Sequence, residues 1–252
     1  PRLDVRTTHG TGCSFSAAIA AELAKGKNIA TAVEAAKKFV TFAIKFGSDV
    51  GRGYGPVNPM AHLYRESSRY CVLMDVEEAR KLLESTFAVA ALVPEVGMNV
   101  AMAIPFAENI DDVAAIEGRI VKVSGGVKAV GSARFGCSSH LAKYILGVTK
   151  HDSAKSAAVN LKFSDKVLKV LEKRGLKVSF YDRQEEPEDI KKTEGMTIPW
   201  GIEQAIKRIG KVPDGVYHRG DVGKEPMIVI FGKKAYDLAK LAIQLAKEIE
   251  KP

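Results

Sequence analysis

Cysteine is scarce. Cys13, Cys71 and Cys137 are the only three in 252 residues, and no spacing pairs them. That argues against a disulfide framework and for a reducing, cytoplasmic setting. No run is long and apolar enough to span a bilayer, and no signal peptide is visible. No internal repeat or low-complexity segment interrupts the chain. No basic stripe is interleaved with exposed aromatics and no nucleic-acid motif occurs, so nucleic acid and membrane are not expected partners. The formal net charge of +8 then points to small anionic molecules, although lysine-rich helices carry much of it as a solvated face. The chain opens on Pro1 rather than Met, which reads as a fragment of something longer.

What is present is an ordinary globular composition, 46% apolar and 27% charged, enough for one or two domains with full cores. The most informative stretch runs from Glu117 to Lys150. Alternating residues from Ile120 meet a turn at Ser124–Gly126 and resume from Val127 to Val130, which predicts a β-hairpin. A polar, Gly-rich bend with Arg134 and Gly136 follows. A helix then opens near Ser138 or Ser139, with Leu141, Tyr144, Ile145 and Val148 at helical spacing. Its free N–H groups, the small residues around them, and Arg119, Arg134 and His140 make a candidate phosphate site. An ordinary capped helix with surface arginines fits those residues equally well.

In chain order, residues 1–9 read as extended. Gly10, Thr11, Gly12 and Cys13 open an Ala-rich helix closed by Gly26. A second helix spans about Ile29 to Phe46. Gly-Thr-Gly at a helix start is either a phosphate loop or a tight turn. His62–Arg69 reads as a linker, with a boundary at Ser67 or Ser68. Asp75 and Glu78 form a capping-box pattern for a helix to about Ser85. Pro94–Asn99 is a loop feeding a buried strand from Met98 to Ile104; Asn99 can meet a heterocycle or cap backbone groups. Ala157–Phe163, a helix capped by Ser164, and Lys177–Tyr181 predict a parallel strand pair joined by a crossover. Asp182 and Arg183 follow the second strand, where α/β folds place ligands. Glu185–Lys192 reads as a short exposed helix. Trp200 opens the next helix, as a stacking platform or a core anchor. Two more strands, Gly215–His218 and Met227–Phe231, flank a loop where Asp221 and Glu225 can hold Mg²⁺ or simply be solvated. Lys233–Glu250 is a terminal amphipathic helix.

THGTGC, SAAIAAELAKG and GRGYGPVNP, within the first 60 residues or so, resemble the C-terminal end of the hydroxymethylpyrimidine and phosphomethylpyrimidine kinases, which have a ribokinase-like fold. The resemblance implies that Gly10, Thr11, Gly12 and Cys13 match the kinase anion hole. The rest of such a kinase would lie upstream of Pro1, so no kinase activity is expected from this chain.

PEVGMN, EGRIVKV, ARFGCSSH, FYDRQEEPE, IPWGIEQAI and RGDVGKEP resemble the ThiN-type thiamine-phosphate synthase domain, fused behind such a kinase chiefly in archaea. The implied organisation is a kinase remnant over 1–66 and a synthase domain over 67–252. The implied fold is α/β, a three-layer α/β/α domain with a mixed sheet, preceded by a helical remnant of a truncated ribokinase-like domain. The implied reaction joins hydroxymethylpyrimidine diphosphate to hydroxyethylthiazole phosphate, giving thiamine phosphate and diphosphate, by a homodimer without an organic cofactor. Arg119 and His140 are then the catalytic candidates. Arg134, Gly136, Ser138, Ser139, Asn99, Asp182, Arg183, Trp200, Asp221 and Glu225 are candidates for substrate or phosphate binding, with Asp221 and Glu225 also candidates for Mg²⁺. The full-length parent would also be a pyrimidine kinase. ThiN-like domains attached to DNA-binding modules resemble sensors, so thiamine-phosphate binding without turnover is the alternative; no helix-turn-helix is visible here.

Overall fold

The computed structural model describes residues 2–221 and 223–250. The chain divides into two units, one ending at Ser68 and the other beginning at Arg69.

In the first unit, helices α1 (Thr11–Ala24), α2 (Ile29–Lys45) and α3 (Ala61–Ser67) follow one another. Gly10 enters α1 at φ 86°. Asn28 caps α2 by accepting from the Thr31 N–H. Ala32, Ala36, Val40 and Ala43 are the buried face of α2, at the spacing one helical stripe requires. The Thr7 hydroxyl ties the N-terminal segment to the Ile44 carbonyl at 2.8 Å. That segment forms a single bridge, His9 to Pro56, rather than a strand. The expected linker over 62–69 is helical, held by α3 and the start of the next helix, and the division between the units falls after Ser68, within the expected boundary.

The second unit starts with α4 (Arg69–Glu84), whose Val72, Val76, Ala79 and Leu83 are buried. Asp75 lies inside this helix and does not cap it. Its carboxylate accepts from the Tyr236 N–H at 2.9 Å, in the first turn of α9 (Ala235–Glu250), so the acidic residue serves another helix's free donor.

The strands are β1 (Val100–Ala103), β2 (Val113–Ile116), β3 (Ile120–Val123), β4 (Gly126–Ala129), β5 (Ala133–Phe135), β6 (Ala157–Lys162), β7 (Val178–Phe180), β8 (Gly215–His218) and β9 (Met227–Gly232). The remaining helices are α5 (Ser139–Thr149), α6 (Asp165–Lys173), α7 (Glu188–Lys192) and α8 (Thr197–Ile209). β3 and β4 form the expected hairpin, and the other strands make a seven-stranded sheet in the order β5-β2-β1-β6-β9-β8-β7. Among the described residues β7–β8 is its parallel pair and every other pairing is antiparallel. β6 and β7 do run in the same direction, but β9 and β8 lie between them. The crossover through α6 therefore spans the sheet rather than joining neighbours.

Strand alternation sorts side chains onto two faces. Val100, Ala114, Ile116, Val159, Leu161, Ile228 and Ile230 join the core under α4, α6 and α9. Ala101, Val113, Ala115, Ala158, Val216, Val229 and Phe231 join the core under α5 and α8. The domain is thus a three-layer α/β/α sandwich around a mixed sheet. The strand directions bring the C-terminal ends of β2, β6, β7 and β8 together with the N-terminal ends of β1 and β9 at one edge.

Candidate active site

At that edge lies a cavity of about 540 Å³. Its first wall comes from two loops that lock onto each other. Met98 and Ile120 exchange backbone hydrogen bonds of 2.9 and 2.7 Å. This places Gly97 of the β1 approach under Arg119 at the start of the hairpin. Arg119 adopts φ 81°, a left-handed conformation uncommon for a side-chain-bearing residue. A Cβ on Gly97 would come within 3.2 Å of the Arg119 Cβ and Cδ, so glycine leaves the space the arginine crosses. The Arg119 guanidinium donates to the Val96 carbonyl and stands exposed at the rim.

The second wall is the start of α5. Ser138 occupies the N-cap position, but no side-chain cap bond forms. The first N–H groups of α5 therefore lack the cap that Ser138 or Ser139 was expected to give. His140 stands in this turn, half-buried, with its ring 5.2 Å from Tyr144. Burial, then the charges of Arg119 and Lys143, pull its pKa down to about 4, so the imidazole is neutral near pH 7.

The floor is aromatic. The hydroxyls of Tyr144 and Tyr181 meet at 2.9 Å, fully buried. Burial raises the pKa of both, so they remain phenols. His218 closes the arc with its ring 5.3 Å from Tyr181. Its pKa also falls to about 4, through burial first and then the charge of Arg183 and the nearby His140. Cys137 lines the cavity as well. Its single S–H lies between the Ala115 and Arg134 carbonyl oxygens, 3.2 and 3.1 Å from the sulfur, and burial raises its pKa, so it is not poised as a thiolate nucleophile.

The cavity gathers Asn99, Arg119, Ser138, Ser139, His140, Arg183 and Glu225 from the residues singled out in the sequence. Asn99 is spent on structure. Its amide accepts from the Ile116 N–H at 2.9 Å and donates to the Ile116 carbonyl at 2.8 Å. Arg134, Gly136, Asp182, Trp200 and Asp221 do not line it. Arg134 belongs to the edge strand β5 and pairs outward with Glu117 at 2.8 Å. Gly136 turns at φ 75° against Asp111. Asp182 caps a 3-10 turn by accepting from Gln184. Trp200 packs edge-on against Tyr181, 6.0 Å away. Gly10, Thr11, Gly12 and Cys13 lie in the first unit at the start of α1, with Cys13 exposed.

Glu225, a candidate for Mg²⁺ together with Asp221, is engaged by the loop before β1. Both Glu225 oxygens already accept, from the Glu95 N–H at 2.9 Å and the Val96 N–H at 3.2 Å. Asp221 is exposed and exchanges backbone hydrogen bonds with Lys224. Among the described residues no group of three His, Cys, Asp or Glu could hold a metal ion.

Sequence reasoning did not single out His218, Tyr144, Tyr181, Asn160 or Lys224 for the cavity. The available signal was His218 itself, a histidine ending a strand before a Gly-containing loop.

Comparison with known proteins agrees with this architecture. Residues 75–244 match the family described as thiamine-phosphate synthase ThiN, and residues 1–58 match the phosphomethylpyrimidine kinase family. The chain is 39% identical over 180 residues to the thiamine-phosphate synthase ThiN of Methanothermobacter thermautotrophicus, covering 70% of this chain and 95% of that protein. It is 37% identical over 236 residues to the bifunctional thiamine biosynthesis protein ThiDN of Methanocaldococcus jannaschii, covering 93% of this chain and 53% of that protein. The chain thus spans about half the length of the bifunctional relative. A crystal structure of the C-terminal domain of a phosphomethylpyrimidine kinase superposes with a TM-score of 0.65 at 42% identity, covering 72% of this chain and 99% of that one.

Proposed function

Residues 75–244 make this chain a member of the thiamine-phosphate synthase ThiN family, and from that premise we propose that the cavity joins hydroxymethylpyrimidine diphosphate to hydroxyethylthiazole phosphate. The bond from the pyrimidine methylene to its diphosphate oxygen breaks, and the electron pair leaves with the oxygen. The thiazole nitrogen then attacks the methylene cation, giving thiamine phosphate and diphosphate. That nitrogen carries no proton, so the step needs no general base. It needs alignment and a counter-charge for the departing diphosphate.

The observation that carries the reading is one cavity holding Arg119 and the uncapped start of α5 beside an imidazole that stays neutral. Arg119 offers a planar fork to diphosphate oxygens. The N–H groups of α5 and the hydroxyls of Ser138 and Ser139 add donors without covalent chemistry. His140, neutral, donates one N–H to the leaving group. Mg²⁺ we place with the substrate's diphosphate, since Glu225 already accepts two backbone N–H groups; no step runs through it.

We extend the proposal to a homodimer acting in the cytoplasm. Tyr70, Phe87 and Val130 are apolar surface exposed on the synthase unit, suited to a second copy. Among the described residues no helix is long and apolar enough to cross a membrane. The parent protein, by its kinase-like first unit, would also phosphorylate the pyrimidine. The decisive assay incubates the purified chain with both phosphorylated precursors. Thiamine phosphate appearing with equimolar diphosphate is expected. Binding of thiamine phosphate with no turnover would instead make the domain a sensor.

A further inference from the structure

β8 ends on a histidine that this reaction scheme leaves without a task. His218 is 5% exposed. Gly220 turns the chain at φ 85° and sends its N–H back to His218 Nδ1 at 3.2 Å. A Cβ at Gly220 would fall 2.4 Å from the Lys224 carbonyl oxygen, so the turn admits glycine alone. With Nδ1 accepting, the proton of the neutral ring resides on Nε2. Among the described residues Nε2 has no hydrogen-bond partner, and the residue lines the cavity. The local structure thus presents one fixed N–H donor to whatever fills the space.

Arg183 enters the same cavity. Its Nε is buried without a partner. The Glu186 carboxylate, 4.0 Å from Nη2, balances part of its charge, and the Tyr181 hydroxyl is a further neighbour of the fork. A guanidinium beside a neutral N–H donor is suited to phosphate oxygens. The reaction brings two anions into one cavity, a diphosphate that must leave and a monophosphate that must be held. Among the described residues Arg119 forms no ion pair, whereas Arg183 has Glu186, and the start of α5 adds uncapped N–H groups beside Arg119; that wall suits the group gaining charge. The partly balanced wall suits the smaller anion.

We propose that Arg183 and His218 form a second anion-holding wall that takes the monophosphate of the thiazole substrate, while Arg119 and the start of α5 take the diphosphate. This rests on the synthase reading above. Steady-state kinetics of the full chain, with each substrate varied in turn, test it for His218→Ala, His218→Gln and Arg183→Gln. Removing a hydrogen bond to a charged group corresponds to a KM increase of roughly tenfold or more. That increase is expected for the thiazole phosphate, with KM for the pyrimidine diphosphate within about twofold of wild type. His218→Gln, which keeps an N–H donor, should recover most of the loss. Calorimetric titration with the thiazole phosphate alone gives the same ranking without turnover. Unchanged thiazole-phosphate affinity in folded His218→Ala and Arg183→Gln, or equal rises in both KM values, would overturn the assignment. Wild type that binds the thiazole phosphate but makes no product would sink the synthase reading and leave the anion wall standing.

Discussion

Arg119 shows how much of the site rests on one residue's backbone. Its left-handed conformation costs energy, and the glycine beneath it at 97 lets the side chain cross the loop. Arg119→Gly should therefore remove the side chain while easing the backbone. Arg119→Ala and His140→Ala should each lower thiamine-phosphate formation by roughly a hundredfold or more, the scale for losing a preorganised donor. Circular dichroism should stay unchanged, and near-normal turnover in a folded variant would take that residue out of the site. The two histidines also carry a pH signature. Both titrate near 4 in the folded chain, against an ordinary value of 6.5. Between those values the unfolded chain binds up to two more protons, so stability rises with pH across the window and falls on acidification. Each proton contributes at most about 1.4 kcal/mol per pH unit, less where cavity water reaches the ring. Melting temperatures from pH 7 to pH 4 should fall less steeply for His140→Gln than for wild type. Equal slopes would mean that His140 titrates normally.

At the scale of elements, the sequence was most legible where periodicity is local. The β3–β4 hairpin, the α6 cap at Ser164, and the Ala-rich α1 and α2 can each be read from neighbouring residues. The structure departs where a residue answers to something distant. Asp75 has the spacing of an N-cap, yet it caps α9 from inside α4. Asn99 looks ligand-ready but closes a buried link to Ile116. His218 joins His140 because the strand order brings β8 and the approach to α5 to one edge, a relation that no window of sequence contains. The packing of α8 follows the same logic. A Cβ on Gly201 would sit 2.7 Å from the Tyr181 ring, which in turn holds the Tyr144 hydroxyl. Gly201→Ala should therefore destabilise the fold by about 1–3 kcal/mol, the usual range for overpacking. It should also perturb the fluorescence of Trp200, which rests on the same ring. A denaturant midpoint and emission spectrum matching wild type would show that α8 shifts freely.

At the scale of the whole molecule, the two units stand on different footings. The synthase unit from Arg69 contains the complete cavity, since every lining residue falls at Val96 or beyond. It also contains both cores of the sheet. A relative matched over 95% of its length by only 180 residues shows that a protein of this size exists without a kinase portion. The first unit matches kinases over 65 residues that span 24% of the Staphylococcus aureus enzyme. Residues 69–252 expressed alone should therefore fold cooperatively and form thiamine phosphate at a rate within about threefold of the full chain, the site's preorganised groups all being retained. Excess chelator should leave the melting temperature of this unit unchanged, because both Glu225 oxygens are already engaged by backbone N–H groups. Loss of synthase activity in a folded 69–252 chain would show that the first unit acts on the cavity. A chelator-induced drop in melting temperature would show that a bound ion supports the fold.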